Sequence, residues 1–168
     1  MSVIHLVTTG GTIEKVYSEQ TGSVANVGSK IDRYLRLLRL PEVEVVVVPL
    51  MNKDSLEMTD TDRELILEKV RGLLDKNAPI IITHGTDTMV DTGLHLQRAL
   101  HDLKAPIVLT GAMTPLGFEG SDGLQNLTES LLAARTVAPG VYVVIHNQVF
   151  PVDRVRKDRE LSQFVWIS

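Results

Sequence analysis

Two threonines sit where a backbone corner could present a hydroxyl to a ligand. Thr12 closes Thr9-Gly10-Gly11-Thr12, which opens off the apolar stretch Val3 to Val7 and runs on as Ile13-Glu14-Lys15. Adjacent glycines let a chain turn sharply without steric penalty, so the Thr12 hydroxyl can project into a cleft at a strand end. Thr86 lies in a second corner, Thr83-His84-Gly85-Thr86-Asp87-Thr88, after the run Pro79 to Ile82. A threonine hydroxyl is a weak nucleophile until a base removes its proton. The candidates are Asp87 beside Thr86, Tyr17 five residues after Thr12, and Lys157, an amine on the charged tail. A lysine can serve as base if desolvation lowers its pKa, and an adjacent aspartate would hold it in place. Attack on a carbonyl also needs donors for the developing oxyanion. Backbone N–H groups at Gly85-Thr86 and Gly111-Ala112 suit that task, and losing one such donor typically costs on the order of 3 kcal/mol of activation free energy.

Nothing in these residues calls for a metal or an organic cofactor. His95 and His101 stand six apart on a helical stretch, a spacing that does not suit a shared metal. His84 reads as a packed, hydrogen-bonded residue at a strand end, while His5 and His146 fall in strands and read as structural. By itself the Thr-Gly-Gly-Thr corner equally suits a tight turn or an anion-binding loop. Nucleotide binding is disfavoured, because neither G-x-x-x-x-G-K-[ST] nor G-x-G-x-x-G occurs.

Positioning these groups falls to an alternation of short β-rich runs and longer helical patterns. Strands are expected at Ile4 to Thr8, Val43 to Val48, Ile80 to Thr83, Ile107 to Thr110 and Val141 to His146. The valine run from Val43 reads as a strand covered on both faces. A loop from Thr9 to about Gly28 follows the first strand, and loops of that length are usually functional or mobile. Ser29 is expected to cap a helix carrying Ile31, Leu35 and Leu38 and ending before Pro41. Thr59 or Asp60 caps a second helix with Ile66, Val70 and Leu73 inward, closed by Asn77 and Pro79. A third presents Met89, Gly93, Leu96, Leu100 and Leu103 inward and Asp91, His95, Arg98 and Asp102 to solvent; a fourth carries Leu124, Leu127, Leu131 and Ala134. Parallel pairs need long crossovers, so the fold expected is α/β, a three-layer α/β/α arrangement around a mainly parallel, Rossmann-like sheet. Ligands in such sheets sit beyond the carboxyl ends of the strands, where Thr12, Ser55, Thr86, Asp87 and Ala112 fall. The tail Asp153 to Glu160 either crosses this edge or forms a solvated surface segment.

Composition bounds the function. A chain of 168 residues, 43% hydrophobic and 23% charged, suits one domain with a sizeable core. Lys and Arg number 17 against 21 Asp and Glu, which provides no basic stripe for nucleic acid. The absence of cysteine excludes disulfide and thiol chemistry. No charged-then-apolar leader is evident and no apolar run is long enough to span a bilayer, so a cytoplasmic location without membrane association is expected.

At the corners the chain resembles the amino-terminal domain of the bacterial-type L-asparaginases and asparaginase-glutaminases. The resemblance rests on Thr9-Gly10-Gly11-Thr12-Ile13, on Asp54-Ser55 with Met58, and on His84-Gly85-Thr86-Asp87-Thr88-Met89. It also rests on Gly111-Ala112-Met113 followed by Ser121-Asp122-Gly123 and Asn126-Leu127. Together these motifs cover almost the whole chain. The resemblance implies that Thr12 and Thr86 face a substrate amide across one pocket. It further implies that Asp87 meets the substrate α-amino group and orients the lysine, and that Ser55 holds the α-carboxylate. Gly11, Gly85 and Ala112 complete the substrate lining, and the family's valine-x-lysine step falls on Val155-Arg156-Lys157. The implied reaction is hydrolysis of L-asparagine to L-aspartate and ammonia by double displacement, with Thr12 forming an acyl-enzyme. Three positions depart from the family pattern. Ser23 stands where the family's activating tyrosine is expected, which leaves Tyr17 as a substitute by proximity. Leu56 replaces a frequently polar side chain. Residues 1–168 read as a single amino-terminal-type catalytic domain without the family's usual carboxy-terminal domain.

Two functions remain open from the sequence. One is an amidohydrolase acting on asparagine, with glutamine or another small amide as a variant; the other is a module that binds a small amino acid without efficient turnover. A homo-oligomer is expected in either case, since a lone domain with an open strand-end cleft would leave its site wet.

Overall fold

A computed structural model describes residues 1–27 and 29–168; Gly28, expected to end the first loop, lies outside the described residues. The first strand, β1 (Ser2–Gly10), is followed by a small hairpin of β2 (Val16–Tyr17) and β3 (Val24–Ala25), then by the one-turn helix α1 (Ile31–Leu35). Next come β4 (Val43–Lys53), α2 (Asp60–Leu74), β5 (Ile80–Thr83), α3 (Met89–Ala99), β6 (Ile107–Thr110), α4 (Gly123–Thr136) and β7 (Val141–Ile145). The chain finishes through β8 (Gln148–Pro151) and a terminal hairpin of β9 (Val155–Asp158) and β10 (Gln163–Trp166).

Six strands form the main sheet in the order β4-β1-β5-β6-β7-β8. The first five run parallel, and β8 turns back antiparallel on β7. Alternation along each strand divides the core. Val7, Ile80 and Ile82 pack with Ile66, Val70, Met89 and Leu96 on the α2–α3 side. Ile4, Leu6 and Ile81 pack with Ile31, Leu127 and Leu131 on the α1–α4 side. The result is the three-layer α/β/α arrangement expected from the sequence. The strand order also fixes the ligand crevice. From β1 the chain moves outward to β4, then returns across β1 to place β5 on its other side. This order reverses between β1 and β5, and in open α/β sheets the crevice forms beyond the strand ends at such a reversal. Both threonine corners open there.

Several expectations need correction. The valine run of β4 lies at the sheet edge and is only half-buried, because the reversal leaves β4 without an outer neighbour. Ser29 does not cap α1; its hydroxyl donates to Glu14 Oε1 at 2.6 Å, and the helix stops after five residues, with Leu38 outside it. The last parallel strand ends at Ile145, so His146 stands in the β7–β8 turn rather than in a strand. Asp102 lies beyond the end of α3. Thr59 is the cap of α2, with Asp62 completing a reciprocal capping box. Of the two alternatives for the tail, the crossing one holds. Val152 presses against Gly93 of α3, where a Cβ would stand only 2.5 Å from Val152 Cγ2, and this close approach leads β9 back over the site edge.

Candidate active site

The first corner is built by backbone geometry and a buried acid. Gly10 and Gly11 both adopt positive φ, 105° and 80°, a region that L side chains rarely enter. Gly10 N–H donates to Glu14 Oε2 at 3.0 Å and Gly11 N–H donates to Lys53 C=O at 2.8 Å, which pins the turn on both sides. Burial pushes the Glu14 carboxyl above its ordinary range, against the opposing pull of Ser29, Gly10 and Lys30. Thr12 then opens a 3-10 turn, half-exposed. A Cβ on Gly11 would fall 2.4 Å from Gly85 N, so the backbones of the two corners touch. Gly11 and Gly85, distant in the chain, thus bring the corners that carry Thr12 and Thr86 side by side.

At the second corner the Lys157 ammonium donates to Thr86 Oγ1 at 2.7 Å and to Asp87 Oδ1 at 2.9 Å. The lysine side chain is 15% exposed and Thr86 is buried, which shields this contact from competing water. Arg159, which sequence reasoning missed, brings Nη2 to 3.6 Å from the same Asp87 oxygen. His84 is fully buried. Its Nδ1 lies 2.7 Å from Gly85 C=O, which can only accept, so Nδ1 donates and Nε2 accepts from the Thr92 hydroxyl at 2.8 Å. Burial lowers its pKa to about 4. His84 is therefore a neutral packing residue of the corner.

Ser55 opens a 3-10 turn after β4 and is buried against Gly85, where an added Cβ would lie 2.5 Å from Ser55 Oγ. Its Oγ accepts from Thr88 N–H at 3.3 Å, leaving the serine proton free to donate to a ligand oxygen. Asp54, beside it, bonds Lys15 at 2.8 Å. That hydrogen bond, the Leu56 N–H and the charges of Lys15 and Lys157 hold its carboxyl below the ordinary range, outweighing burial. Lys15 and Asp54 thus join the charged rim, and only their place in the motifs could have signalled it. Leu56 is exposed. Ala112 is fully buried, and a Cβ on Gly111 would stand 3.5 Å from Thr86 Cγ2, so this third corner adjoins the second.

Tyr17 is the candidate least integrated with the others. It lies on β2 opposite Val24 and is 58% exposed, and no hydrogen bond among the described residues joins its phenol to either threonine. Ser23 is spent on the same hairpin, its Oγ 2.7 Å from Thr21 Oγ1 and its C=O accepting from Ser18 N–H. Among the described residues, no group of three or more His, Cys, Asp or Glu converges to hold a metal, and no helix is long and apolar enough to cross a membrane. An open depression of about 430 Å³ beside Leu50, Leu65 and Leu73 lies on the β4–α2 flank, away from all three corners.

Comparison with known proteins identifies the family and supports the fold. The family described as "Asparaginase, N-terminal" matches residues 3–162. L-asparaginase of Thermococcus kodakarensis is 31% identical over 154 residues, covering 92% of this chain and 47% of the relative. L-asparaginase 1 of Escherichia coli K12 is 33% identical over 162 residues, again covering 92% and 47%. Among solved structures, the thermostable T. kodakarensis enzyme superposes with a TM-score of 0.89 at 31% identity, covering 98% of this chain and 51% of that one. L-asparaginase I of Vibrio cholerae gives 0.86 at 29% identity with the same coverage. The chain spans about half the length of the curated relatives it matches. It belongs to the asparaginase family, whose amino-terminal domain it matches over residues 3–162.

Proposed function

We propose that this chain is an L-asparaginase-type amidohydrolase acting through threonine. The observation that carries the reading is the Lys157 amine held at 2.7 Å from the Thr86 hydroxyl and 2.9 Å from Asp87, beside a glycine corner that touches the one bearing Thr12. Such a site holds a hydroxyl, an amine and a carboxylate in mutual contact. Thr12 Oγ attacks the side-chain amide carbon of asparagine, the carbon–nitrogen bond breaks, and the nitrogen leaves as ammonia with the proton Thr12 gave up. Water then attacks the acyl-threonine ester, releasing aspartate and restoring the hydroxyl. Lys157, once it has shed a proton, lies within reach to take the Thr86 proton and so to activate the second attack. Ser55 donates its free proton to the substrate α-carboxylate and Asp87 receives the α-ammonium. Tyr17 stands nearest to Thr12 in sequence as its activating phenol and would have to swing inward on its hairpin to serve.

Ammonia release from asparagine tests the reading, with Thr12→Ala and Thr86→Ala as controls. Each substitution should lower the rate by about 10²-fold or more, in line with the loss of a nucleophile or its acid–base partner. Release equal to that of the double mutant would overturn it. The exposed Tyr17 favours a second reading, a module that binds a small amino acid without turnover; calorimetry showing aspartate binding without ammonia release would establish that instead. Glutamine and other small amides belong in the same panel, since glutaminase-asparaginase of Acinetobacter glutaminasificans is 29% identical over 172 residues. A cytoplasmic location and a homo-oligomer are part of the proposal. A Campylobacter jejuni relative titled "Probable Cytoplasmic L-asparaginase" superposes with a TM-score of 0.76. Sedimentation showing only monomer across working concentrations would remove the oligomer.

A further inference from the structure

The turn joining β7 to β8 is a two-residue hairpin whose central residues, His146 and Asn147, both adopt positive φ, 50° and 61°. Asparagine and glycine suit such a turn; histidine at its first central position is the less favourable choice. Its side chain shows what it does there. His146 Nε2 lies 2.6 Å from Asp122 Oδ2, and because a carboxylate only accepts, the imidazole donates. The His146 backbone N–H donates to Asn126 Oδ1 at 3.0 Å.

Asp122 immediately precedes α4, yet its carboxylate does not cap that helix. It turns instead to the loop after β6, where Met113 N–H donates to both its oxygens and Thr114 N–H to one, each at 3.0 Å. Asn126, fully buried, donates to Gly111 C=O at 2.9 Å and to Asp122 Oδ2 at 3.0 Å. The Asp122 carboxylate and the Asn126 amide nitrogen thus bind the backbone of Gly111, Met113 and Thr114, with His146 behind both, and Gly111 abuts Thr86. Hydrogen-bonded networks partly shielded from water fix one geometry where a single contact would permit several.

We propose that His146 is a positioning residue: through Asp122 and Asn126 it anchors Met113, Thr114 and the Gly111 carbonyl, so that the remaining donors of the loop, the Gly111 and Ala112 N–H groups, keep their place beside Thr86. The kinetic part rests on the amidohydrolase reading; the structural part does not. Donors aimed at a developing oxyanion act in the transition state, so loosening them lowers kcat and leaves KM nearly unchanged.

The test uses His146→Asn and His146→Gln in the full chain. Asparagine is the better turn residue but too short to reach Asp122, whereas glutamine keeps an N–H donor near the position of Nε2. For His146→Asn we expect kcat for ammonia release to fall about 10- to 100-fold with little change in KM. The Met113 and Thr114 amides should exchange hydrogen at least about tenfold faster, with no fall in Tm. His146→Gln should restore both. Wild-type exchange at Met113 and Thr114 in His146→Asn, or failure of His146→Gln to restore it, overturns the proposal. So does a fall in Tm common to both variants without a local change at those amides. If the unmodified chain releases no ammonia from any amide, the amidohydrolase reading fails, and hydrogen exchange alone decides whether His146 holds the loop.

Discussion

His84 is placed so that its protonation opposes folding. In the folded chain burial lowers its pKa to about 4, against an unfolded value of 6.5. As pH falls below 6.5 the unfolded chain takes up a proton that the folded chain refuses, so stability declines until pH reaches about 4. By linkage, the fall from this residue amounts to about 3 kcal/mol. His5, lowered by burial and by Lys76, adds to the decline. Glu14 acts with the opposite sign just above its ordinary range, because burial makes its folded form bind a proton more readily. Below about pH 4 the lowered carboxyls of Asp54, Asp62 and Asp122 become protonated and their contribution is lost as well. Urea midpoints measured from pH 7 to 4 should fall steeply, and His84→Gln should flatten that slope. The contact of Lys157 with Thr86 and Asp87 was legible in the sequence, where an aspartate beside the threonine was expected to hold a lysine. Arg159, Lys15 and the buried partners of Glu14 were not, because only the folded chain brings them to Asp87, Asp54 and Gly10.

Among the elements, those with sustained periodicity were read correctly and those without it were not. The inward residues of α2, α3 and α4 repeat over several turns, and each packs as that repeat requires. The spacing of Ile31, Leu35 and Leu38 promised a similar helix, but α1 yields after Leu35 to tighter turns, with Leu37 N–H bonding Tyr34 C=O and Leu38 N–H bonding Leu35 C=O. Hairpins of two or four residues per strand leave no pattern to find; they exist because neighbours pair with them. The capping box of α2 also has a measurable worth. Thr59 accepts from Asp62 N–H while Asp62 accepts from Thr59 N–H and pairs with Lys53 at 2.8 Å. Thr59→Ala should cost about 1 kcal/mol, read as a shift in the urea midpoint with an unchanged slope.

Across the whole molecule, the sheet supplies two hydroxyls and the tail supplies the amine. β10 pairs with β9 so that Phe164 faces Lys157 in register, and Trp166 meets Phe150 at a tilt of 57° with ring centroids 4.7 Å apart. Ile167 N–H bonds Arg154 C=O, closing the hairpin against the body. Trp166→Ala should release this anchor and lower the rate of amide hydrolysis several-fold while sparing overall stability to within about 1 kcal/mol, since the aromatic pair itself contributes about 0.5–1.5 kcal/mol. Far-UV circular dichroism alongside ammonia release would separate the two effects. The sequence offered Lys157 as the amine and a crossing tail as one alternative, but the β9–β10 pairing and the Trp166–Phe150 contact left no mark in it.

The late position of β9 has a consequence for synthesis. Both threonine corners leave the ribosome well before residue 157, so a nascent chain holds Thr12, Thr86 and Asp87 before it holds the amine. Under the proposed mechanism a polypeptide that stops short of Lys157 should release no ammonia from asparagine.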